Sequence, residues 1–275
     1  MSAILGDGQP MRARSVVFDI FGDYVRRTGG RISLRQLTPV LGAFGVPADS
    51  ARVVMSRLAR EGWFTIERNG RTSVYQPSQK GWELLDSGLE RIMSGPPTTP
   101  WHGRWYMAIF SVPESQRAIR NRLKTELSWL GFGQLAPSTW ISAHNRLEEA
   151  EQALAAEDSI WFDLFEVEGG GRRTDIERAM ICWDLTSLGR DYQAFGDKCQ
   201  TLIDEIAPRL VGRDALIQRT ELIHEYRRFP FRDPGLPPEL LPPDWPAFNA
   251  HQLFIQAFNI LEPEALRHFQ SITSV

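Results

Sequence analysis

The 275-residue sequence predicts an α+β protein in three parts. The prediction depends on where strand-like and helical patterns of apolar residues occur and on one stretch that resembles a linker. Strand-like runs alternate with amphipathic helical patterns as far as residue 172, whereas residues 175–275 show helical patterns almost alone. A stretch rich in glycine, proline and threonine at residues 95–100 is typical of a linker. The expected parts are therefore residues 12–94, residues 101–172 and residues 175–275.

The first part should contain three helices, because its apolar residues recur at helical spacing. The first is expected at residues 15–27, before a pair of glycines. Ser33 is placed to cap the second helix, and Pro39 should break it or force an irregular turn. Asp49 or Ser50 should cap the third helix, which carries the most distinctive polar face of the chain.

A β-hairpin is predicted after these helices. Asn69-Gly70 separates two β-prone runs at residues 63–68 and 71–76, which predicts a two-residue type I′ turn. A further helix is expected at residues 79–93. The order helix, helix, helix, hairpin predicts a winged helix-turn-helix, a DNA-binding architecture, for residues 12–94.

The second part alternates strands and helices, whereas the third is predicted to be mainly helical. In the second part, strands are expected at residues 105–112 and 160–167, and a further strand is expected around Trp140-Ile141 within residues 134–142. Helices are expected at residues 114–130 and 146–156. This order predicts a small ferredoxin-like α+β domain at residues 101–172, with a role in dimerisation and sensing. In the third part, helices are expected at residues 175–184, 187–211, 214–229, 247–261 and 263–269. We predict that this helical C-terminal domain, residues 175–275, binds an effector and contributes to a dimer.

Charge is distributed unevenly along the chain. Residues 12–80 contain twelve Lys or Arg and five Asp or Glu, a net charge of +7, which leaves −10 on the rest of the chain. A basic module attached to an acidic body is typical of a protein that binds nucleic acid through phosphate contacts. A solvated basic face is the alternative interpretation, as is a winged helix that contacts another protein.

The candidate DNA-binding residues lie on the third helix and on the hairpin. Spacing on the helix puts several polar side chains on one solvent face, where arginine can pair with guanine in the major groove. The hairpin tip could contact phosphates or the minor groove. The candidates are Arg52, Ser56, Arg57, Arg60, Arg68, Asn69 and Arg71. The sequence leaves open which of them contact bases and which contact phosphates.

Several protein classes lack support in this sequence. Two distant cysteines and no apolar leader or spanning segment predict a cytoplasmic protein without structural zinc or disulfides. No phosphate-binding loop, dinucleotide fingerprint or nucleophile elbow is present, and the five histidines lack metal-ligand spacing, so we predict no enzyme, cofactor or metal. A nucleic-acid-processing enzyme built on the ferredoxin-like domain is the competing class, and Asp163 with Asp184 gives it little support.

Several sequence blocks carry a resemblance to a known family. They are FGDYV at 21–25, FGV at 44–46, RLAREGW at 57–63, WHGRW at 101–105, WLGFG at 129–133, YRRFP at 226–230 and DPGLPPELLPPDW at 233–245. Over about residues 13–270 the chain resembles the PaaX-type repressors of bacterial phenylacetic acid catabolism. Asn69-Gly70 and Pro39 are local departures from the family pattern.

The resemblance implies a homodimeric repressor of a catabolic operon. Such a protein binds operator DNA and releases it when an aryl acyl-CoA such as phenylacetyl-CoA binds. A regulator that responds to a different small aromatic effector, or one that acts as an activator, remains the alternative, because neither the effector nor the sign of regulation follows from the residues.

An aryl acyl-CoA requires an aromatic-lined slot for its ring and cationic groups for its phosphates. One cluster of the chain combines both kinds of residue, around Tyr226, Arg227, Arg228 and Arg232. Trp105 is a further candidate for the aromatic slot, and Arg104 is a further candidate for the cationic groups. We predict that these residues line the effector site or the hinge that reports on it. The alternative is that Arg227 pairs with Asp233 or Asp244 to hold the proline-rich loop.

Overall fold

A computed structural model describes residues 11–70, 72–157 and 159–274, without the side chains of residues 69 and 208. Helices dominate and two small sheets accompany them, so the predicted α+β class is confirmed. The chain divides into two compact units. The first unit comprises Met1–Gly95, Ala194–Pro230 and Phe248–Val275, and the second comprises Pro96–Gln193 and Phe231–Ala247. The division into three consecutive domains remains a prediction.

The regular elements are named here in chain order. The α-helices are α1 (Ala13–Asp23), α2 (Leu34–Ala43), α3 (Ala48–Arg60), α4 (Gln79–Met93), α5 (Arg117–Trp129), α6 (Leu147–Ala155), α7 (Asp175–Cys182), α8 (Leu185–Thr201), α9 (Gly212–Tyr226), α10 (Phe229–Arg232) and α11 (Ala247–Thr273). The strands are β1 (Ile32–Ser33), β2 (Phe64–Asn69), β3 (Thr72–Pro77), β4 (Arg104–Ser111), β5 (Gly133–Ala136), β6 (Thr139–Ser142) and β7 (Trp161–Glu168). Among residues 11–70, 72–157 and 159–274, no helix has the length and apolar character needed to cross a membrane.

Helix α2 continues through Pro39, contrary to the predicted break. A capping box between Ser33 and Gln36 fixes the first turn, where each side chain bonds the backbone of the other residue. The hydroxyl of Thr38 donates to the Leu34 carbonyl at 2.7 Å. Pro39 itself is exposed, while Val40 next to it is fully buried. Burial of the apolar face therefore outweighs the hydrogen bond that proline cannot donate.

The first sheet is antiparallel, with strand order β1-β3-β2. Asn69 pairs with Thr72, so the connection between β2 and β3 begins at Gly70, one residue later than the predicted Asn69-Gly70 turn. Gly70 has a φ of +59°, a backbone conformation that glycine adopts without a Cβ penalty. The turn prediction was therefore wrong by one position, because Asn69 extends the ladder.

The second sheet has strand order β5-β6-β4-β7, and neighbouring strands are antiparallel. The strand predicted around Trp140-Ile141 is confirmed as β6, and an additional strand, β5, precedes it across a turn that contains Pro137. Helices α5 and α6 cover one face of the sheet through a core that includes Leu123, Leu154 and Trp140. The opposite face packs against α7 and the proline-rich segment around Leu240.

Helix α11 is continuous, although two helices were predicted on either side of residue 262. Pro263 lies on the exposed side, whereas Leu261 and Ala265 are buried on the other side. The guanidinium of Arg219 donates a hydrogen bond to the Phe258 carbonyl of the same helix. Packing on one face therefore keeps the helix intact.

Candidate nucleic-acid interface

Helix α3 presents an apolar face to the core and a polar face to solvent. Ala51, Met55 and Leu58 are buried, whereas the predicted contact residues on this helix are at least partly exposed. These residues are Arg52, Ser56, Arg57 and Arg60. Spacing alone was therefore enough to find the face that solvent reaches.

The start of α3 differs from the prediction. The helix begins at Ala48, and Pro47 occupies the capping position without a side-chain hydrogen bond. Neither Asp49 nor Ser50 caps the helix, because both already lie inside its first turn. Asp49 instead lies 3.8 Å from Arg52, one turn further along.

The hairpin candidates are only partly described. Arg68 lies on β2 and its side chain is exposed. Asn69 ends the same strand through its backbone, and its side chain lies outside the described part of the structure. Arg71 also lies outside the described residues.

An ion-pair chain links α3 to α1. Arg57 donates from Nε to Oε1 of Glu61 at 2.8 Å, and Arg14 donates to Oε2 of the same carboxylate. The hydrogen bonds from Arg14 and then Arg57 lower the pKa of Glu61. The guanidinium of Arg14 also lies 5.9 Å from the ring centre of Trp63. Neither Glu61 nor Arg14 was predicted as a site residue. The i,i+4 spacing of Arg57 and Glu61 was a signal for their pair, whereas no sequence spacing indicates the contact of Glu61 with Arg14.

Trp63 connects α3 to the start of α4. The ammonium of Lys80 lies 3.9 Å from its ring centre, within the range of a cation–π contact. Ser78 caps α4 by accepting from the backbone N–H of Gly81. The basic face of α3 is therefore supported by contacts to the helices before and after it.

Three candidate effector residues, Tyr226, Arg227 and Arg228, lie at the end of α9 or just after it and belong to the first unit. Tyr226 is buried, its hydroxyl lies 2.8 Å from Nδ1 of His251, and its ring stacks on Phe254 with centroids 4.1 Å apart. Arg227 lies 3.0 Å from Oδ1 of Asp19 on α1, so its acidic partner is neither Asp233 nor Asp244. Arg228 is exposed.

Asp19 and Asp23 form the acidic side of a buried network on α1. Asp23 accepts two hydrogen bonds from Arg219 of α9, at 2.7 and 2.9 Å, and only 1% of the Arg219 side chain is exposed. Asp19 accepts from His224 at 2.8 Å. Burial raises the pKa of Asp19, although the hydrogen bond from His224 and the charge of Arg227 act in the opposite direction.

This network was not predicted, because carboxylates at positions i and i+4 of an amphipathic helix are normally solvated. The block FGDYV at residues 21–25 contains Asp23 and was its only signal. That block was part of the family resemblance, but the sequence alone gave no physical reason for an acidic residue at position 23.

The remaining effector candidates lie in the second unit. Trp105 is buried between Trp101 and Trp183, and its Nε1 donates to Asp175 at 2.8 Å. Arg104 pairs with Glu166 on β7. Arg232 lies 2.6 Å from Asp191. The six candidates therefore belong to two different units, three in each.

Family models define the class of protein to which these features belong. Residues 12–81 match the model described as PaaX-like protein, residues 98–179 match PaaX protein central Cas2-like domain, and residues 183–271 match PaaX-like protein C-terminal domain. The chain belongs to the PaaX family.

Two individual proteins are similar to most of the chain. It is 31% identical over 264 residues to the transcriptional repressor PaaX of Escherichia coli K12, a match that covers 94% of this chain and 83% of that relative. The solved structure of the uncharacterized protein Rv0674 from Mycobacterium tuberculosis matches with a TM-score of 0.62 and 19% identity, over 96% of this chain and 99% of that one. At that identity the second match shows the fold alone.

Proposed function

We propose that this protein is a DNA-binding transcriptional repressor, a regulator rather than an enzyme, whose residues 12–94 form a winged helix-turn-helix. The observation that carries the proposal is the solvent-facing side of α3, on which Arg52, Arg57 and Arg60 project beside the β2–β3 hairpin. The name of the Escherichia coli relative supports a repressor.

In the proposed complex, α3 enters the major groove. Arg52, Ser56, Arg57 and Arg60 face base edges or the adjoining phosphates, since arginine pairs bidentately with guanine O6 and N7. The hairpin residues Arg68, Asn69 and Arg71 contact the backbone or the minor groove. The net charge of +7 on residues 12–80 attracts the DNA and makes its binding sensitive to salt.

The rest of the chain forms the dimer and the sensor. The order β4, α5, β5, β6, α6, β7 supports a ferredoxin-like domain at residues 101–172, and a helical domain follows at residues 175–275. One winged helix covers only a half-site, so a homodimer on a palindromic operator matches the symmetry of such sites.

The proposed effector is an aryl acyl-CoA of the phenylacetyl-CoA type, which releases the protein from the operator of a phenylacetate-type catabolic operon. The resemblance to PaaX-type repressors supports this choice. Tyr226, Arg227, Arg228, Arg232, Arg104 and Trp105 are the proposed effector residues. The contact between Arg227 and Asp19 of α1 favours a reporting role for Arg227, because it joins the end of α9 to the first helix of the DNA-binding module.

The test is fluorescence anisotropy with a labelled promoter fragment from the neighbourhood of the protein's own gene, at two salt concentrations. We expect tight binding that weakens as salt rises and that phenylacetyl-CoA, but not free phenylacetate, reverses. If phenylacetyl-CoA leaves DNA binding unchanged, the proposal of a DNA-binding regulator stands and this effector is rejected. Equal affinity for the promoter and a scrambled duplex would reject the repressor.

A further inference from the structure

We propose that Glu61 is a positioning residue for sequence-specific DNA recognition, which holds Arg57 so that its terminal nitrogens face a guanine. This inference rests on the proposed function of α3 as the recognition helix. It assigns Arg57 to a base contact rather than to a phosphate contact.

The geometry of the Arg57 side chain carries the first step. Its Nε donates to Oε1 of Glu61 at 2.8 Å, while the side chain as a whole is 70% exposed. Glu61 lies four residues later, directly after the last residue of α3. The contact fixes the plane of the guanidinium through Nε, and the Nη1 and Nη2 groups carry four further N–H donors. Two parallel donors of this kind match O6 and N7 of guanine.

Glu61 is itself held from the opposite side. Arg14 of α1 donates to Oε2, and its guanidinium lies 5.6 Å from the ring centre of Phe18 and 5.9 Å from that of Trp63. Both carboxylate oxygens of Glu61 therefore have a partner. An acceptor that is anchored in this way orders a long side chain before the DNA arrives, which lowers the entropic cost of binding.

A carboxylate beside Arg57 favours a base contact over a phosphate contact. A phosphate attracts any nearby cation, and Glu61 reduces the net charge that Arg57 offers to it. Base recognition depends instead on the direction of the N–H groups, which the carboxylate fixes. Glu61 therefore lowers the total affinity for DNA but increases the discrimination between base pairs.

Val53 supports the same assignment. It lies one turn before Arg57 on the polar face of α3, and it is 65% exposed. An exposed valine gains nothing from a phosphate, whereas the methyl group of thymine offers it an apolar contact in the major groove. The Val53–Arg57 edge of α3 thus has the chemistry of a surface that contacts bases.

The test begins with a 30-bp duplex (about three helical turns) that the wild-type protein enriches from a random-sequence pool. Dissociation constants are then measured by anisotropy for that duplex, for each of its single base-pair substitutions, and for a scrambled duplex. The proteins are wild type, Glu61→Gln, Arg57→Gln, the double variant and Arg14→Gln. Glu90→Gln on α4 is the control, because Glu90 is exposed and its loss changes the net charge equally.

We expect Glu61→Gln to reduce discrimination at one G·C pair by roughly tenfold and to leave the other positions unchanged. Its affinity for the scrambled duplex should not fall. Arg57→Gln should lose discrimination at the same pair, and Glu61→Gln should add nothing in the Arg57→Gln background. Arg14→Gln should show a smaller loss of discrimination at that base pair. This variant provides the same test if Glu61→Gln does not fold. Glu90→Gln should discriminate as wild type does.

Two results would overturn the inference while leaving the proposed function intact. One is a Glu61→Gln protein that discriminates every base pair as wild type does. The other is a loss that persists at full size in the Arg57→Gln background, since Glu61 would then act independently of Arg57. Failure of the wild-type protein to enrich any duplex would instead reject the proposed function itself, and the inference with it.

Discussion

Arg57 of α3 and Arg219 of α9 lie in opposite environments. The Arg57 side chain on α3 is 70% exposed and touches one carboxylate through a single nitrogen. The Arg219 side chain on α9 is 1% exposed and bonds Asp23, Glu262 and a backbone carbonyl. An exposed ion pair contributes little to folding, whereas a buried charge must keep its partners. We infer that α3 uses arginine for binding and α9 uses it for structure.

The buried set also has a geometric order. Asp19 and Asp23 lie one turn apart on α1, and their partners Arg227 and Arg219 lie eight residues apart, on α9 and at its C-terminal end. The two helices are therefore joined at two points by charge as well as by packing. The comparison predicts that substitution of Arg219 changes stability, and that substitution of the exposed arginines of α3 changes DNA binding alone.

The largest effect is expected for Arg219→Ala. It leaves Asp23 buried without its bidentate partner, which should lower the free energy of unfolding by about 3–5 kcal/mol. Urea unfolding measures the change. The control is Arg267→Ala, an exposed arginine of α11 that pairs with Glu264 and whose loss should cost less than about 0.5 kcal/mol. Equal stabilities of the two variants would remove the distinction between the two sets of arginines.

Arg57→Ala should produce the converse result. We expect its affinity for the operator to fall by about 1–3 kcal/mol, because a bidentate base contact is lost. Its free energy of unfolding should change by less than about 1 kcal/mol, since the pair with Glu61 is exposed. Anisotropy and urea unfolding on the same sample test both statements. Arg267→Ala removes the same charge and should bind the operator as wild type does; an equal loss of affinity there would reduce the effect to net charge.

Tyr226→Phe should have a smaller effect on stability. It removes the hydroxyl that contacts His251 but keeps the ring that stacks on Phe254. The free energy of unfolding should fall by about 1 kcal/mol, the usual contribution of one buried hydrogen bond. A drop of several kcal/mol would mean that the ring has moved as well, which a near-ultraviolet circular dichroism spectrum would detect.

Asp19→Asn should change how the free energy of unfolding varies with pH. Burial raises the pKa of Asp19, against the hydrogen bond from His224 and the charge of Arg227. A carboxyl whose pKa rises on folding stabilises the native state most below its unfolded pKa of about 3.9, and that contribution is lost as pH rises through the native value. The free energy of unfolding of the variant, relative to that of wild type, should therefore increase as pH increases. Urea unfolding from about pH 4 to about pH 7 tests this sign, and parallel profiles of the two proteins would contradict it.

Local patterns predicted most of the elements of this protein. Periodicity located α1, α3 and α4 and the two strands of the hairpin to within a few residues. It failed at Pro39 and Pro263, where burial of one helix face overrode the local preference of proline. It located β6 within residues 134–142 but did not predict β5 as a separate strand, since strand pairing depends on partners elsewhere in the chain.

The sequence by itself determined the α+β class, the basic first module and the exposed face of α3, because periodicity and charge are local properties. Only the tertiary structure decided which charges have partners. Asp23 and Arg219 are separated by 196 positions in the chain, and Glu61 bonds both Arg57, one turn before it, and Arg14 on another helix. The spacing of Arg57 and Glu61 is compatible with a contact along one helix, whereas the pairs of Arg14 with Glu61 and of Arg219 with Asp23 form only after the helices have packed.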